Sequence, residues 1–554
     1  MSMNNAERLE RRFFVPWQFW IAAGFVLLMS GWILIRSIHR PYDSVPDQDL
    51  LWLSEALRLY RGAQTTYIDH PGALWTLMYL VNLYILQSLG AIHYTVGEGI
   101  GVNDAGTLIR MARAENSLLC AVTLISLWPI SRWLGVNKNQ TMLWIIILSC
   151  SSGFLWGMVQ VRHEMASILF ASLFLLLSKA ALKMHAYRPS WGKLVFWSAA
   201  ISSLMLSMYC KIQIIFAFPI LIIALLPTSS ITKGEQVKRQ YFYIFNRLGS
   251  IEALSLSASF LITIGIVGRY TAEQGYAFDL RSVGFWLCLN AFLSIWGLVH
   301  LRESAYSDKS NKSHIAIVAQ NSIILCLPVF IELFFAAVVF RGGWTAGWSG
   351  TVFRAPTELF GGRGLYYSGG NEAIRNGLDL SSLLKSLSNR LEETYFLPSA
   401  VIILLFAVIA LLLSLKYLRN TPGVDHVGQS NCKHYGRVGS FNGLLAMGAI
   451  CLTVTANSAR DQNFYAIYIA IPTLLVISFL NSQRNSRMSN TAIQLASLAL
   501  CAAAITRAAV NLHDVSRFTT FNHHGTLCYG QQMDIEMRLT SIGQCPNFKA
   551  EMKA

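Results

Sequence analysis

Long apolar runs, separated by short polar or basic segments, dominate this sequence. A helix needs about 20 apolar residues to cross a hydrocarbon core of roughly 30 Å, and the runs here reach about 17 to 25 residues. In lipid, every backbone N–H and C=O group must bond within its own segment, which favours helices. Charged residues are only 13% of the chain. The sequence therefore predicts an all-α integral membrane protein, a polytopic bundle of about 13 transmembrane helices.

Lys and Arg residues lie mostly in the short segments between apolar runs, although the formal net charge is +15. This distribution indicates cytoplasmic basic loops and gives no support for nucleic-acid binding. The N-terminal segment contains Arg8, Arg11 and Arg12 and is expected in the cytoplasm. The first apolar run, at about 17–36, lacks a small-residue cleavage site, so we interpret it as a retained helix and not as a signal peptide.

One apolar run, at about 73–90, is long enough to cross the membrane but contains Asn82 and Gln87. If it crossed, every later short basic loop would face outward, so we place it in the membrane interface. The predicted spans include helices at about 106–131, 140–159, 165–182, 194–209 and 212–227. The predicted organisation is a transmembrane domain over 1–511, with outer loops at about 37–105 and 341–396, and an outer tail over 512–554.

Two carboxylates, Asp47 and Asp49, flank the start of an amphipathic segment, residues 48–60, in the first outer loop. Its leucines fall on one helical face, with Glu55 and Arg58 elsewhere, which suits a helix lying on the membrane. Carboxylates at a helix N-terminus often act only as caps. The functional alternative is that one of them acts as a general base, or orients an acceptor, at the membrane surface.

Three further polar groups lie in predicted outer turns. Asp69 and His70 precede a Pro-Gly pair at the entry to the 73–90 segment, where Pro suits a first helical turn and His70 could contact a phosphate. Lys211 lies between two predicted spans, where it either snorkels to the interface or contacts a phosphate. Late in the chain, Arg460 and Tyr465 lie at the outer end of a predicted span, and Arg can grip a phosphate with two hydrogen bonds.

The run Arg162-His163-Glu164 interrupts the apolar pattern between two predicted spans. Ionisable groups are costly in lipid and usually functional there, but an Arg/Glu pair could also simply close a short loop. Under one topology, all five of these groups of residues face the same side of the membrane, and this convergence suggests a site. Nucleotide-binding and metalloprotease motifs such as GxxxxGK[ST] and HExxH are absent from the sequence.

These residues resemble a motif pattern of the GT-C fold, that of the polyprenyl-phosphate-sugar-dependent glycosyltransferases, especially the protein O-mannosyltransferase and aminoarabinose-transferase group. The usual Asp-Glu pair is Asp-Gln or Asp-Leu here, and Gly72 stands where a second Pro is usual. The spacing to Asp69 favours Asp49 as the catalytic acid and the spacing to Gly62 favours Asp47, so both remain candidates. The matching positions are Asp47 or Asp49, Ala56–Gly62, Asp69-His70-Pro71, Glu164, Lys211, Arg460, Tyr465 and Pro472.

The resemblance implies an inverting transferase that moves a sugar from a polyprenyl-phosphate carrier to an unknown acceptor, a glycan, lipid or protein. It also implies a bacterial inner membrane with the site facing the periplasm. The acids would serve as base, acceptor contact or, for Glu164, ligand of a divalent metal ion; no other cofactor is indicated. Phosphate or substrate contacts are expected from the remaining candidates, Asp69, His70, Arg162, His163, Lys211, Arg460 and Tyr465. The rival functions are a transporter or lipid flippase, and a GT-C scaffold without catalysis.

Two cysteines, Cys528 and Cys545, lie in the polar segment after the last predicted helix. The predicted topology places this segment in an oxidising compartment, where a disulfide between them is permitted. Closing a loop of roughly 17 residues would stabilise the tail by about 3 kcal/mol in the chain-entropy description. Two unpaired thiols are the alternative.

Overall fold

The computed structural model describes residues 15–38, 51–62, 73–96, 99–133, 136–150, 152–159, 161–183, 191–210, 249–272, 280–306 and 314–336, and residues 502 and 505. This part of the chain is almost entirely helical. Its helices are α1 Trp17–Ile38, α2 Leu51–Tyr60, α3 Ala73–Ser88, α4 Val102–Trp133, α5 Lys138–Ser149, α6 Ser152–Val159, α7 His163–Lys183, α8 Trp191–Cys210, α9 Ser250–Ala272, α10 Leu280–Tyr306 and α11 His314–Phe334. A short antiparallel pair, β1 Tyr94–Thr95 and β2 Gly99–Ile100, joins α3 to α4.

Seven of these helices are long and apolar enough to cross a membrane: α1, α4, α7, α8, α9, α10 and α11. The expectation of an all-α membrane protein is confirmed to that extent. The predicted helices at about 212–227 and beyond residue 337 lie outside the described residues, so the number of about 13 helices stays a prediction.

The prediction of one continuous helix over about 140–159 is wrong. The backbone leaves the helix after Ser149, so the span is divided into α5 and α6. The sequence at this break is Cys-Ser-Ser. Serine side chains can hydrogen-bond to the backbone themselves, and in this way they compete with the helical hydrogen bonds. The shorter helix α6 is held against α4 because the Gly157 carbonyl accepts from Asn116 Nδ2 at 2.6 Å and from the Cys120 thiol at 3.4 Å. Hydrophobicity alone does not reveal this break.

Helices α1 and α4 run in opposite directions. The Ser117 hydroxyl donates to the Ser30 carbonyl at 3.2 Å, whereas near the start of α1 the Phe19 ring lies 5.5 Å from the ring of Trp128, near the end of α4. At that same end, Gln18 Nε2 donates to Asn139 Oδ1 at 3.0 Å. The start of α1, the end of α4 and the start of α5 therefore share one end of the bundle, which the predicted topology makes cytoplasmic.

Helix α4 is longer than a membrane is thick. Its 32 residues span about 48 Å, against roughly 30 Å of hydrocarbon. Residues Ala105, Leu108, Ile109 and Ala112 belong to one buried cluster together with α2, α3 and the hairpin, whereas Cys120 to Ile130 belong to the main core of the spans. We call α2, α3, the hairpin and the first three turns of α4 the cap. It covers the end of the bundle opposite to the start of α1.

Helix α3, the segment predicted to lie in the interface, has 16 residues and is too short to be counted among the spans. It buries Trp75, Tyr79 and Leu83 in the cap. Its other face leaves Tyr84 and Ile85 about half exposed. This length and this exposed apolar face suit a helix at the membrane surface, although the interfacial placement itself stays a prediction.

The lipid-facing side of the bundle carries exposed tryptophans near helix ends. Trp17 and Trp20 lie exposed at the start of α1, and Trp191 lies exposed at the start of α8. Near the other end of α1, Trp32 is exposed and its ring lies 5.1 Å from the Arg36 guanidinium. Trp and Arg at both ends of a span are typical of helices anchored at two membrane interfaces.

Candidate functional site

The structure describes three of the predicted site residues: Arg162, His163 and Glu164, which we call the charged cluster. The others lie outside the described residues: Asp47, Asp49, Asp69, His70, Lys211, Arg460 and Tyr465, as do Cys528 and Cys545. The structure therefore gives the contacts of the charged cluster and of the described residues next to the remaining candidates.

The charged cluster is buried. Arg162 is 6%, His163 3% and Glu164 4% exposed. His163 begins α7 and Glu164 lies in its first turn, where the N-terminal end of the helix favours a carboxylate. Arg162 Nη1 lies 3.8 Å from Glu164 Oε1, which is an ion pair but too long for a hydrogen bond. The loop-closing pair predicted as the alternative is thus present, in a loose form.

Helix α2 reaches the charged cluster through Trp52. Its ring meets the His163 ring edge-on, with the centroids 4.3 Å apart. Trp52 is the third residue after Asp49, and it is 1% exposed. An aromatic edge contact of this kind contributes about 0.5–1.5 kcal/mol beyond buried area. The described chain that follows the Asp47/Asp49 pair therefore packs directly on the charged cluster.

Helix α3 reaches the same place through Trp75, whose Nε1 donates to the Arg162 carbonyl at 2.8 Å. Trp75 is the fifth residue after His70 and is fully buried. A buried indole N–H is costly unless it is bonded, so this contact fixes the start of α3 against the turn before α7.

Helix α8 arrives from the membrane side. Its last residue, Cys210, lies about one helical turn after Ser207, which is hydrogen-bonded to Ser167, about one turn after Glu164 on the antiparallel helix α7. Cys210 is the residue before Lys211. Two reciprocal hydrogen bonds hold α7 and α8 together. Ser167 Oγ donates to the Ser207 carbonyl at 3.0 Å, and Ser207 Oγ donates to the Ser167 carbonyl at 2.7 Å. The described residues next to three candidate segments, those before α2, before α3 and after α8, therefore come together around residues 162–164.

An aromatic stack closes the membrane side of this region. The Tyr209 ring lies parallel to the Phe335 ring with centroids 4.0 Å apart, and it stacks on Trp286 at 6.1 Å. These rings come from α8, from the π-helical residues that directly follow α11, and from α10. They tie the end of α8 that carries Cys210 to the second half of the described bundle.

Several polar groups in and next to the cap, buried or half-buried, were not predicted from the sequence. Glu55 was placed away from the apolar face of its helix, yet it is 4% exposed, because the cap covers α2 on nearly all sides. Arg113 on α4 is 1% exposed. Glu115 accepts a hydrogen bond from Asn82 Nδ2 at 2.9 Å, which explains the Asn in an apolar segment. Helical periodicity cannot find such residues, since it predicts one buried face for each helix.

Within the described part of the chain, no group of three or more His, Cys, Asp or Glu side chains is placed to hold a metal ion. Cys120, Cys150 and Cys210 are buried. The divalent metal considered from the sequence therefore stays a prediction.

Chemically, the charged cluster combines an anion, a cation and an imidazole in a site shielded from water. Coulomb interactions are several-fold stronger there than in bulk water. A carboxylate in such a place can accept a proton from a hydroxyl, and a guanidinium can bind a phosphate with two hydrogen bonds.

In comparisons with known proteins, no family model, no curated protein and no solved structure matches this chain.

Proposed function

We propose that this chain is a membrane glycosyltransferase that moves a sugar from a polyprenyl-phosphate carrier to an acceptor on the periplasmic side of a bacterial inner membrane. The observation that carries the proposal is the meeting of α2, α3 and α8 at the buried charged cluster. The residues before α2 and α3 and after α8 include Asp49, His70 and Lys211. One site at the membrane surface would then gather the acids and the cations that the transfer needs.

The reaction requires three roles. A carboxylate, from Asp47 or Asp49, takes the proton of an acceptor hydroxyl as its oxygen bonds to the anomeric carbon of the sugar. The bond from that carbon to the carrier phosphate breaks on the opposite face, so the configuration inverts. Cations, among them Arg162 and Lys211, stabilise the charge that develops on the phosphate.

Glu164 acts as the second acid in this proposal and contacts the acceptor or a metal ion. Its burial and its position in the first turn of α7 hold the carboxylate in place before substrate arrives. Asp69, His163, Arg460 and Tyr465 would complete the donor site.

The rival function, a transporter or lipid flippase, predicts ionisable groups deep in the membrane on broken helices. The broken span of α5 and α6 fits that description. The charged cluster, however, lies after the end of α6 and beneath the cap, at a bundle end instead of the centre. A surface site suits a carrier whose reactive phosphate lies at the level of the lipid headgroups.

The test is release of polyprenyl phosphate from radiolabelled polyprenyl-phosphate sugars in proteoliposomes that contain the purified protein and a membrane extract as acceptor source. Wild-type protein should turn over one member of a panel of such donors. Glu164→Gln, and at least one of Asp47→Asn and Asp49→Asn, should lower the rate about 100-fold or more, as loss of a general base or charge-stabilising group does.

A matched control is Glu252→Gln. The Glu252 carboxylate is also buried, and it accepts a hydrogen bond from Asn321 Nδ2 on α11. Asn321 lies about 20 Å of helix rise before Phe335, whose ring stacks on Tyr209 at the end of α8 near the charged cluster. The control should keep normal turnover at normal abundance. Normal turnover by all three acid variants, or equal loss in the control, would refute the proposed site.

A further inference from the structure

Another buried carboxyl, Glu332, lies apart from the charged cluster, on the part of α11 that is a candidate membrane span. Glu332 is 0% exposed. Its Oε1 accepts from Asn290 Nδ2 on α10 at 2.7 Å, and its Oε2 accepts from the Thr263 hydroxyl on α9 at 3.0 Å. Asn290 Nδ2 also donates to Thr263 Oγ1 at 2.8 Å. We call these three residues the Glu332 cluster.

All three residues lie inside candidate membrane spans, Ser250–Gly268, Ser282–Val299 and Ala316–Phe334. Glu332 is about 3 Å of helix rise from the end of its span, and Asn290 about 12 Å from the start of its span. The cluster is thus enclosed by three packed helices, each a candidate membrane span. Water is excluded from it, since Asn290 is 1% and Thr263 0% exposed.

Within the described residues, no Lys, Arg or His side chain forms an ion pair with Glu332. An ionised carboxylate without a positive partner costs several kcal/mol when it is buried, and hydrogen bonds from a neutral amide and a hydroxyl offset only part of that. Evolved proteins rarely keep such a charge in a span without a function. A positive ligand would therefore stabilise the carboxylate.

The geometry favours a proton over a metal ion as that ligand. Each carboxylate oxygen already accepts one hydrogen bond, so one of its two lone-pair directions is taken by a hydrogen and fewer remain for a cation. A hard cation such as Na⁺ or Ca²⁺ seeks about six oxygen ligands. The cluster holds only four oxygens, and the Asn290 amide oxygen points elsewhere, without a hydrogen-bond partner.

That unpartnered amide oxygen supplies the acceptor for a protonated carboxyl. The two ends of an amide are nearly the same size, so a half-turn of the Asn290 side chain would exchange Nδ2 and Oδ1. Oδ1 would then lie 2.7 Å from Glu332 Oε1, the usual length of an O–H···O bond. In the present orientation, the Asn290 amide donates to the ionised Glu332 carboxylate. In the turned orientation, it would accept a hydrogen bond from the protonated carboxyl.

We propose that the Glu332 cluster is a proton-binding site within the membrane, in which Glu332 takes up a proton from solvent and Asn290 turns its amide oxygen to accept the resulting O–H. The groups that face the carboxyl are Thr263 from α9 and Asn290 from α10. Other titratable side chains described on the surrounding helices, none of them bonded to it, are Lys193, Tyr209, Cys210, Glu252, Cys288 and Cys326. The site shares no residue with the proposed transferase site.

Infrared spectroscopy of the purified full-length protein tests the proposal, because the carbonyl stretch of a protonated carboxyl is separate from that of a carboxylate. At neutral pH, wild-type protein should show a protonated-carboxyl band that Glu332→Gln lacks and that Glu252→Gln retains. The band should disappear in alkaline buffer. Thr263→Val, which keeps the carboxyl and the shape of its neighbour, should shift the pH at which it disappears.

A hydrophobic carbodiimide gives a second readout on unmodified wild-type protein, since it reacts with protonated carboxyls in membranes. Peptide mass mapping should find the adduct at Glu332, with a yield that falls as the pH rises and does not change with NaCl. Identical absorption of wild type and Glu332→Gln in the protonated-carboxyl region would show that Glu332 is ionised and would overturn the proposal. Protection of Glu332 by NaCl would overturn it as well, because it would identify the ligand as Na⁺.

Discussion

Gly297 of α10 sits where three helices cross. A Cβ atom added there would lie 2.8 Å from Ile324 Cγ2 on α11 and 3.1 Å from Ile201 Cδ1 on α8. Real Cβ atoms do not approach another carbon to 2.8 Å, and a branched isoleucine methyl cannot turn away without a rotamer change. Gly297→Ala must therefore push α10 away from its neighbours. Small residues at such crossings let membrane helices approach closely.

The expected magnitude follows from two opposing effects. Replacing Gly by Ala in a helix favours folding by about 1 kcal/mol through propensity. Overpacking a tight contact costs about 1–3 kcal/mol. Gly284→Ala, in the same helix, is the matched control because nothing lies within 4 Å of its added Cβ. Gly297→Ala should thus be less stable than Gly284→Ala by about 1–3 kcal/mol, with the propensity gain cancelling between the two.

Equilibrium unfolding in mixed detergent micelles, followed by tryptophan fluorescence, measures this difference. Trp286 and Trp296 report on the same helix, since both are buried in the core. If Gly297→Ala were as stable as Gly284→Ala or more stable, the crossing of α8, α10 and α11 would be refuted.

Three further predictions can be checked with standard methods. Cysteine labelling in intact cells should find Gly234→Cys in the cytoplasm and Gly362→Cys outside, because basic loops are retained inside, and labelling of both from one side would contradict the topology. Non-reducing peptide mapping should find Cys528 linked to Cys545; alkylation of both without reduction would count against the bond and weaken the outer placement of the tail. Trp75→Phe removes one buried N–H bond to the charged cluster, so it should destabilise the cap by about 1–3 kcal/mol and lower transfer, and unchanged values would argue against that contact.

Sequence reasoning works best where one physical signal dominates. Long apolar runs predicted the spans, and the described ends of α7 and α8 agree with the prediction to within about three residues, the usual uncertainty of helix ends. The break after Ser149 escaped, because Cys and Ser are compatible with either a helix or a turn. Hydropathy averages over a window, so the single Glu332 left no visible mark in a strongly apolar run.

The residues of the charged cluster could be predicted from the sequence, but their contacts with other helices could not. Its three charges stand out in the apolar pattern, whereas its contacts with Trp52 and Trp75 join segments about 90 to 110 residues apart in sequence. Such long-range contacts depend on how α2 and α3 fold over the first turns of α4. Periodicity within one helix carries no information about that packing. The burial of Glu55 went unseen for the same reason.

The proposed function implies that the chain consumes a lipid-linked sugar, and lipid profiling of a deletion strain tests this most directly. Mass spectrometry of membrane lipids should show one polyprenyl-phosphate sugar accumulating when the gene is deleted. Wild-type protein should return it to the normal level, whereas Glu164→Gln, present at equal abundance, should not. An unchanged lipid profile, or full restoration by Glu164→Gln, would contradict the account.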